Sequence, residues 1–164
     1  MVKRLRAKNF RSIKELDLEP GRNNVLVGPN AAGKSNILDV LRFLNNLAFV
    51  GVNKALMSRN GYNQVTWKGR DPGAINLILN LQISVEPGGV RDAEYEIKID
   101  GTPTDLITVK RERLTFGEGG EAVHLIDLAM GHGGIRHADG TKAFDAPGNP
   151  AQSALEYNVP KWEG

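Results

Sequence analysis

The sequence lacks cysteine, has few aromatic residues and contains no long apolar run. The absence of cysteine excludes disulfides, thiolate zinc sites, iron–sulfur ligation and cysteine nucleophiles, and it fits a reducing compartment. No apolar stretch approaches the roughly 20 residues of a membrane-spanning helix. The basic N-terminus also lacks the apolar core of a signal peptide. A net charge of only +2 gives no global basic field that would attract nucleic acid. We therefore expect a cytoplasmic protein without membrane association.

Glycine, in contrast, is abundant, with 19 residues among 164, above the usual share of about 7%. Such an excess indicates tight turns or places where another group approaches the backbone closely. The length predicts one domain, large enough to bury a hydrophobic core without disulfides or metals.

The N-terminal third combines strand-like and helical patterns. Short strands are predicted at 2–8 and 13–18, and the apolar run 24–27 is typical of a strand that is buried on both faces. From Lys34 the apolar residues follow a helical period, and this helix is expected to end by Gly51. Its predicted apolar face consists of Ile37, Val40, Leu41, Leu44 and Leu47.

The remainder of the chain is strand-like. The predicted strands are 74–85, 93–100, 106–116, 123–130, 135–137 and 142–144. Turn sequences at Asp100-Gly101 and 138–141 predict hairpins, and a short helix is expected within 150–157. No linker separates two domains. The predicted fold is therefore α/β (α+β), a single lobe over 1–164 with a strand–loop–helix core at 1–57 and an antiparallel β-rich part at 58–164.

One motif stands between the apolar run and the helix: Gly28-Pro29-Asn30-Ala31-Ala32-Gly33-Lys34-Ser35. It matches the phosphate-binding loop G-x-x-x-x-G-K-[ST] in the required strand–loop–helix setting. The terminal glycines let the backbone wrap around phosphate oxygens, and the helix N-terminus favours an anion. Lys34 is expected to reach the β- and γ-phosphates, and Ser35 to ligate Mg²⁺. The motif thus predicts ATP and Mg²⁺ as cofactors; the alternative is a glycine-rich turn before an ordinary helix.

Hydrolysis would also need an acidic residue at the end of another strand and a group that orients water. The nearest candidate is Asp127 in the run 123–128, but His124 interrupts this run and Leu128 stands where a glutamate is wanted. We interpret 123–128 as an ordinary half-buried strand and Gly131-His132-Gly133-Gly134 as a loop. No catalytic residue is identified.

The segment Lys8-Asn9-Phe10-Arg11-Ser12-Ile13, followed by the loop and Asn36-Ile37-Leu38, resembles the start of the ABC-like ATPases that include RecF, the SMC proteins and the OLD nucleases. It is most similar to the RecF/OLD-like "AAA family ATPase" group. The resemblance is tight over 3–47 and looser over 58–116. It implies that the nucleotide contacts are Gly28, Pro29, Asn30, Ala31, Ala32, Gly33, Lys34, Ser35 and Asn36, with Arg11 and Ser12 near the phosphates or base. For Arg11 and Ser12, a solvated turn is the alternative.

In the family that the sequence resembles, a second lobe carries the signature motif, the magnesium-holding Asp and the catalytic Glu. The resemblance therefore implies an N-terminal lobe that stops before this second lobe: a fragment, a truncated gene product or one half of a split head. The implied partners are a second copy or a complementary half-head, joined through bound ATP, and DNA. The family's glutamine-loop residue is not placed, and Gln152 fits that role poorly.

Several alternatives remain open. The cations of residues 3–14 could touch DNA phosphates, although we favour an edge strand guarded by charge. The histidines near Asp127 and Asp139 are interpreted as surface residues rather than a metal site, and Trp67 and Trp162 as packing or surface residues. The alternative functions are a non-enzymatic nucleotide-binding remnant or scaffold, and a phosphotransferase that uses the same loop.

Overall fold

The computed structural model describes residues 1–30, 32–70, 73–85, 89–102, 106–117, 122–137, 141–146 and 148–156. Within these residues, eight strands form one antiparallel sheet in the order β2-β1-β3-β4-β5-β6-β7-β8. The strands are β1 (Val2–Phe10), β2 (Ile13–Leu18), β3 (Ile75–Val85), β4 (Gly89–Gly101), β5 (Ile107–Phe116), β6 (Val123–Ala129), β7 (His132–Arg136) and β8 (Lys142–Asp145). The helices are α1 (Lys34–Met57), α2 (Tyr62–Val65) and a 3₁₀ helix at Ala154–Glu156.

Helix α1 covers one face of this sheet and supplies seven of the nineteen buried residues of the main core cluster. Its buried positions include Val40, Leu44 and Leu47, so the predicted apolar face is confirmed. The ring of Phe43 packs against that of Phe10 at 5.6 Å between centroids. Each such side chain contributes about 1.5–3 kcal/mol when it is fully buried. This packing fixes the start of α1, and hence the phosphate loop, against the end of β1.

The helix breaks at Gly51, where φ is +82° and ψ is 166°. Only glycine adopts this backbone conformation without strain. The prediction that the helix ends by Gly51 identified the break, but α1 resumes beyond it and continues to Met57. The segment before the 3₁₀ helix lies beside this break, and Asn53 Nδ2 donates a hydrogen bond to the Ala151 carbonyl at 2.9 Å.

A buried carboxylate ties the same segment to the sheet. Glu112 on β5 is fully buried and accepts hydrogen bonds from the Tyr95 hydroxyl at 2.8 Å and from Ser153 Oγ at 2.7 Å. The Ala154 amide donates a third at 2.5 Å. Burial raises the pKa of Glu112, although these three donors partly offset the rise. Burial, with the nearby Glu112, also raises the pKa of Tyr95.

The structure confirms an α/β (α+β) lobe with a substantial antiparallel sheet, but the predicted buried strand at 24–27 is wrong. These residues form no strand, and Val25 and Val27 are 85% and 89% exposed. A strand of this type is buried because other elements cover both of its faces. Residues 24–27 pair with none of the described strands, although β2 is an edge strand of the sheet. The described part of the chain also has no helix long and apolar enough to cross a bilayer.

Candidate nucleotide-binding site

The phosphate loop lies at the surface and leads directly into α1. Gly28, Pro29, Asn30 and Ala32 are exposed, and Ala31 lies outside the described residues. Gly33 is the N-cap residue of α1, with φ of +88°, no side-chain capping bond and no acidic residue in the first helical turn. The first N–H groups of a helix have no intrahelical partner and form its positive end. The loop therefore presents backbone donors and a favourable dipole to an anion.

Lys34 folds back over this loop. Its Nζ donates hydrogen bonds to the carbonyls of Gly28 at 2.5 Å and Pro29 at 2.6 Å. The ammonium charge therefore stands at the loop rather than in open solvent. Ser35 follows on the first turn with an exposed side chain, which leaves its hydroxyl accessible to a hard cation such as Mg²⁺. The structure thus holds the Lys34 ammonium against Gly28, with the exposed Ser35 next in the chain; the nucleotide contacts assigned to these residues stay predictions.

The turn between β1 and β2 contacts the end of the phosphate loop where α1 begins. Asn36 Nδ2 donates a hydrogen bond to Ser12 Oγ at 2.6 Å. A Cβ atom placed on Gly33 would lie 3.1 Å from the same oxygen. The turn is held by a 2.6 Å hydrogen bond from the Arg11 amide to the Val65 carbonyl, and Arg11 itself has a positive φ of 50°. Ser12 therefore contacts the phosphate loop from an exposed turn, and both interpretations of Ser12 stay open.

The side chain of Arg11 forms an ion pair with Asp39 on α1. Asp39 was not among the candidate residues predicted from the sequence. Arg11 Nε lies 2.6 Å from Asp39 Oδ2, and Arg59 Nη2 lies 3.1 Å from Asp39 Oδ1. The side chain of Arg59 is only 8% exposed, and its guanidinium stands 5.2 Å from the Phe43 ring centroid. One carboxylate therefore holds two guanidinium groups, one at the surface and one inside. Asp39 follows Ser35 by four residues and so lies one turn along the same helix face; that spacing was the available sequence signal.

A cavity of about 590 Å³ opens beside this turn. Its lining includes Arg11, Ser12, Asn36, Thr66, Trp67 and Lys68. Trp67 carries Lys14 at 5.6 Å from its ring centroid. Two cations, hydroxyl and amide groups and one indole face together suit a ligand that has both an anionic part and a flat ring. Trp67 is half-buried and lines this cavity, which agrees with the expectation of a packing or surface residue.

The remaining candidates lie elsewhere. Asp127 on β6 pairs with Arg111 at 3.2 Å and Arg113 at 3.4 Å, as expected for an ordinary half-buried strand. Gly133 and Gly134 belong to β7 rather than to a loop, which corrects that expectation. Among the described residues no group of three or more His, Cys, Asp or Glu side chains is arranged to hold a metal; Asp139 and Trp162 lie outside them.

Gln152 stands far from the phosphate loop. The neighbouring Ala151 contacts Asn53, which lies beyond the Gly51 break in α1. The part of α1 before this break alone, from Lys34 to Val50, rises by about 24 Å at roughly 1.5 Å per residue.

The basic strip on β1 is not an edge strand, because β1 lies between β2 and β3. Two of its cations pair with acids on other strands: Arg4 with Asp17 on β2 at 2.6 Å, and Arg6 with Glu94 at 2.9 Å on β4, across β3. The interpretation of a charge-guarded edge is therefore wrong. The charges form cross-strand pairs on the sheet face away from α1.

Comparisons with known proteins agree with the resemblance to RecF-like and OLD-like ATPases. The model of the AAA ATPase domain family matches residues 1–112. The DNA replication and repair protein RecF of Shewanella piezotolerans is 28% identical over 119 residues, which cover 69% of this chain and 31% of the relative. The OLD nuclease of Thermus scotoductus is 53% identical over 38 residues, which cover 23% of this chain and 7% of the relative. This chain thus spans less than a third of the length of these curated relatives.

Among solved structures, a chain from work on "ATP-driven dimerization and DNA stimulated activation of SMC ATPases" superposes with a TM-score of 0.43 at 17% identity, covering 74% of this chain and 71% of that chain. The family match has a broader basis, since it includes β1, the phosphate loop, α1 and the sheet as far as β5. The chain belongs to the AAA ATPase domain family.

Proposed function

We propose that this chain binds ATP with Mg²⁺ as the N-terminal portion of a RecF/OLD-like ATPase head. The observation that carries the proposal is the loop geometry: an uncapped helix N-terminus at Gly33 with the Lys34 ammonium held over the carbonyls of Gly28 and Pro29. This arrangement concentrates donors and positive charge where a triphosphate binds. Membership of an ATPase family supports the same conclusion.

Each residue then has a distinct role in the proposal. Backbone N–H groups of 28–35 hold phosphate oxygens, and Lys34 neutralises the β- and γ-phosphates. Ser35 holds Mg²⁺ together with phosphate oxygens, because Mg²⁺ usually takes few protein ligands and shares the substrate's phosphates. Asn36 and Ser12 brace the loop through their 2.6 Å hydrogen bond. The cavity with Arg11, Trp67 and Lys68 accommodates the remainder of the nucleotide.

The exposed apolar run 25–27 is the basis for proposing that another polypeptide binds this chain. Val25, Leu26 and Val27 make no hydrogen bond to any described part of the chain. An apolar cavity of about 680 Å³ lies beside them, lined by Leu5, Leu18, Ile37, Leu38 and Leu41 among others. We propose that a complementary half-head or a second copy covers this surface. The name of the RecF relative, a DNA replication and repair protein, favours a role in DNA repair for the complete assembly, and the resemblance to the RecF/OLD-like group adds defence as the other candidate role.

Binding of a fluorescent ATP analogue by the whole chain, with and without Mg²⁺, tests the proposal. Lys34→Ala removes the loop ammonium and is expected to weaken binding by at least about tenfold, since charge-assisted bonds are each worth roughly 1.5–3 kcal/mol. Lys142→Ala is the matched control, because Lys142 pairs with Asp145 on β8, away from the loop. Ser35→Ala should lower the gain that Mg²⁺ provides while it leaves Mg²⁺-free binding unchanged.

No binding by the wild-type chain would refute the proposal. Binding without phosphate release would support a nucleotide-binding half-head and is the result we expect, because the Asp127 carboxylate is engaged by Arg111 and Arg113. Transfer of phosphate to a small acceptor would favour the phosphotransferase alternative instead.

A further inference from the structure

Asp39 connects the proposed nucleotide site to the interior of the protein. It lies one turn along α1 from Ser35, with a mostly buried side chain between Arg11 and Arg59. We propose that Asp39 is a positioning residue for nucleotide binding: it orients the Arg11 guanidinium toward the phosphate loop and is itself fixed by Arg59. This inference rests on the proposed function and adds a residue outside the phosphate-loop motif.

The first step is that Asp39 cannot move freely. Arg59 is almost fully buried and donates both Nε and Nη2 to the Asp39 carboxylate, at 3.4 and 3.1 Å. Arg59 also donates to the Ala55 carbonyl at 3.1 Å and packs on the Phe43 ring. A buried guanidinium keeps its counter-charge, because leaving it unpaired is costly. The carboxylate orientation is therefore set from the core side.

The second step is that Arg11 still has donors to offer. Its Nε is buried against the carboxylate, 2.6 Å from Asp39 Oδ2, and is not accessible to a ligand. The ion pair therefore fixes the guanidinium, while the side chain is still 35% exposed and its two terminal NH₂ groups make no hydrogen bond within the described residues. Arg11 lines the same cavity as Ser12 and Asn36, which brace the loop. An arginine placed in this way can donate to phosphate oxygens with little loss of side-chain freedom.

The opposite effect, repulsion between Asp39 and the triphosphate, is the smaller one. Two guanidinium groups already compensate the carboxylate charge. Loss of orientation should therefore outweigh relief of repulsion.

The test measures ATP affinity and thermal unfolding separately for Asp39→Asn, Arg11→Gln and the double variant. Each single variant should lower ATP affinity about tenfold, the value of one charge-assisted hydrogen bond. Because Asp39 acts through Arg11, the double variant should bind no more weakly than Arg11→Gln alone. Asp17→Asn is the matched control: Asp17 holds Arg4 at the same 2.6 Å, away from the loop, and its loss should leave ATP affinity unchanged.

Asp39→Glu keeps a counter-charge for Arg59, so this variant should fold. Because its carboxylate is shifted by one methylene, it should nevertheless bind ATP more weakly than the wild type. Unchanged or tighter ATP binding by Asp39→Asn or Asp39→Glu, or additive losses in the double variant, would overturn the proposal. Failure of the wild-type chain to bind ATP would instead refute the proposed function itself. Repeating the titrations at about 0.5 M salt, where the Debye length is only a few ångströms, should leave the Asp39→Asn loss in place, because it arises from position rather than long-range charge.

Discussion

Replacement of Gly33 by alanine perturbs the phosphate loop at one backbone position. Gly33 has φ of +88°, and a Cβ atom there would lie 3.1 Å from Ser12 Oγ. A non-glycine residue in this left-handed region costs roughly 1–2 kcal/mol. If the free Gly33→Ala loop relieves this strain by adopting another conformation, ATP binding must return the loop to the left-handed conformation. The strain energy of roughly 1–2 kcal/mol is then subtracted from the binding free energy, which corresponds to an affinity loss of about 5–30-fold.

Alanine substitutions at two other glycines serve as controls for the loss of ATP affinity. They show what backbone strain alone, or an added methyl group alone, does elsewhere in the chain. Gly89 also has a positive φ, of 78°, but a Cβ atom there meets no neighbour, whereas Gly134 has neither a positive φ nor a close neighbour. Gly89→Ala should lower the free energy of unfolding and leave ATP affinity unchanged. Gly134→Ala should leave ATP affinity unchanged as well. Calorimetric ATP titrations, with urea unfolding in parallel, measure both quantities. Wild-type ATP affinity in Gly33→Ala would refute the reasoning, because it would mean that the loop geometry is not used in binding.

Two further predictions concern stability and association. The fold raises the pKa of Glu112 above its ordinary value of 4.5, so ionisation of Glu112 opposes folding. The free energy of unfolding of the wild type, relative to that of Glu112→Gln, should therefore fall as the pH rises from below 4.5 through the raised pKa. Urea unfolding at several pH values measures this difference, and a rise with pH would contradict the assignment. Replacing the exposed Val25 and Val27 by serine should change the free energy of unfolding by no more than about 0.5 kcal/mol, yet it should weaken ATP-dependent self-association in sedimentation experiments; a wild-type chain that stays monomeric with ATP would exclude the second copy as the partner.

Local patterns predicted most of the secondary structure because each element depends on neighbouring residues. The helical face from Ile37 to Leu47 follows from a 3.6-residue period. A hairpin does join β4 and β5, but Asp100 and Gly101 pair with Thr108 and Ile107 inside it, so the prediction that they form its turn is wrong. The phosphate loop also follows from local sequence, since its glycines and Lys34 lie within eight residues. The nucleotide contacts assigned to this loop remain predictions.

The errors arose where the outcome depends on distant partners. The run 24–27 has the composition of a buried strand, but burial requires other elements to cover it, and these residues pair with none of the described strands, including the edge strand β2. The cations of β1 are in the interior of the sheet order because β3, more than 60 residues later, pairs with the free edge of β1. No local pattern specifies that pairing.

The sequence by itself determined a nucleotide-type loop on a helix N-terminus, because glycine freedom, a lysine and a helical period act over a few residues. Only the tertiary structure decided what surrounds that loop. It placed Asp39 between Arg11 and Arg59, which are separated by 48 positions, and it joined Glu112 to the Ala154 amide 42 residues away. Buried charges and carboxylates select their partners by proximity in the folded core, and such proximity has no signature in the linear order of residues.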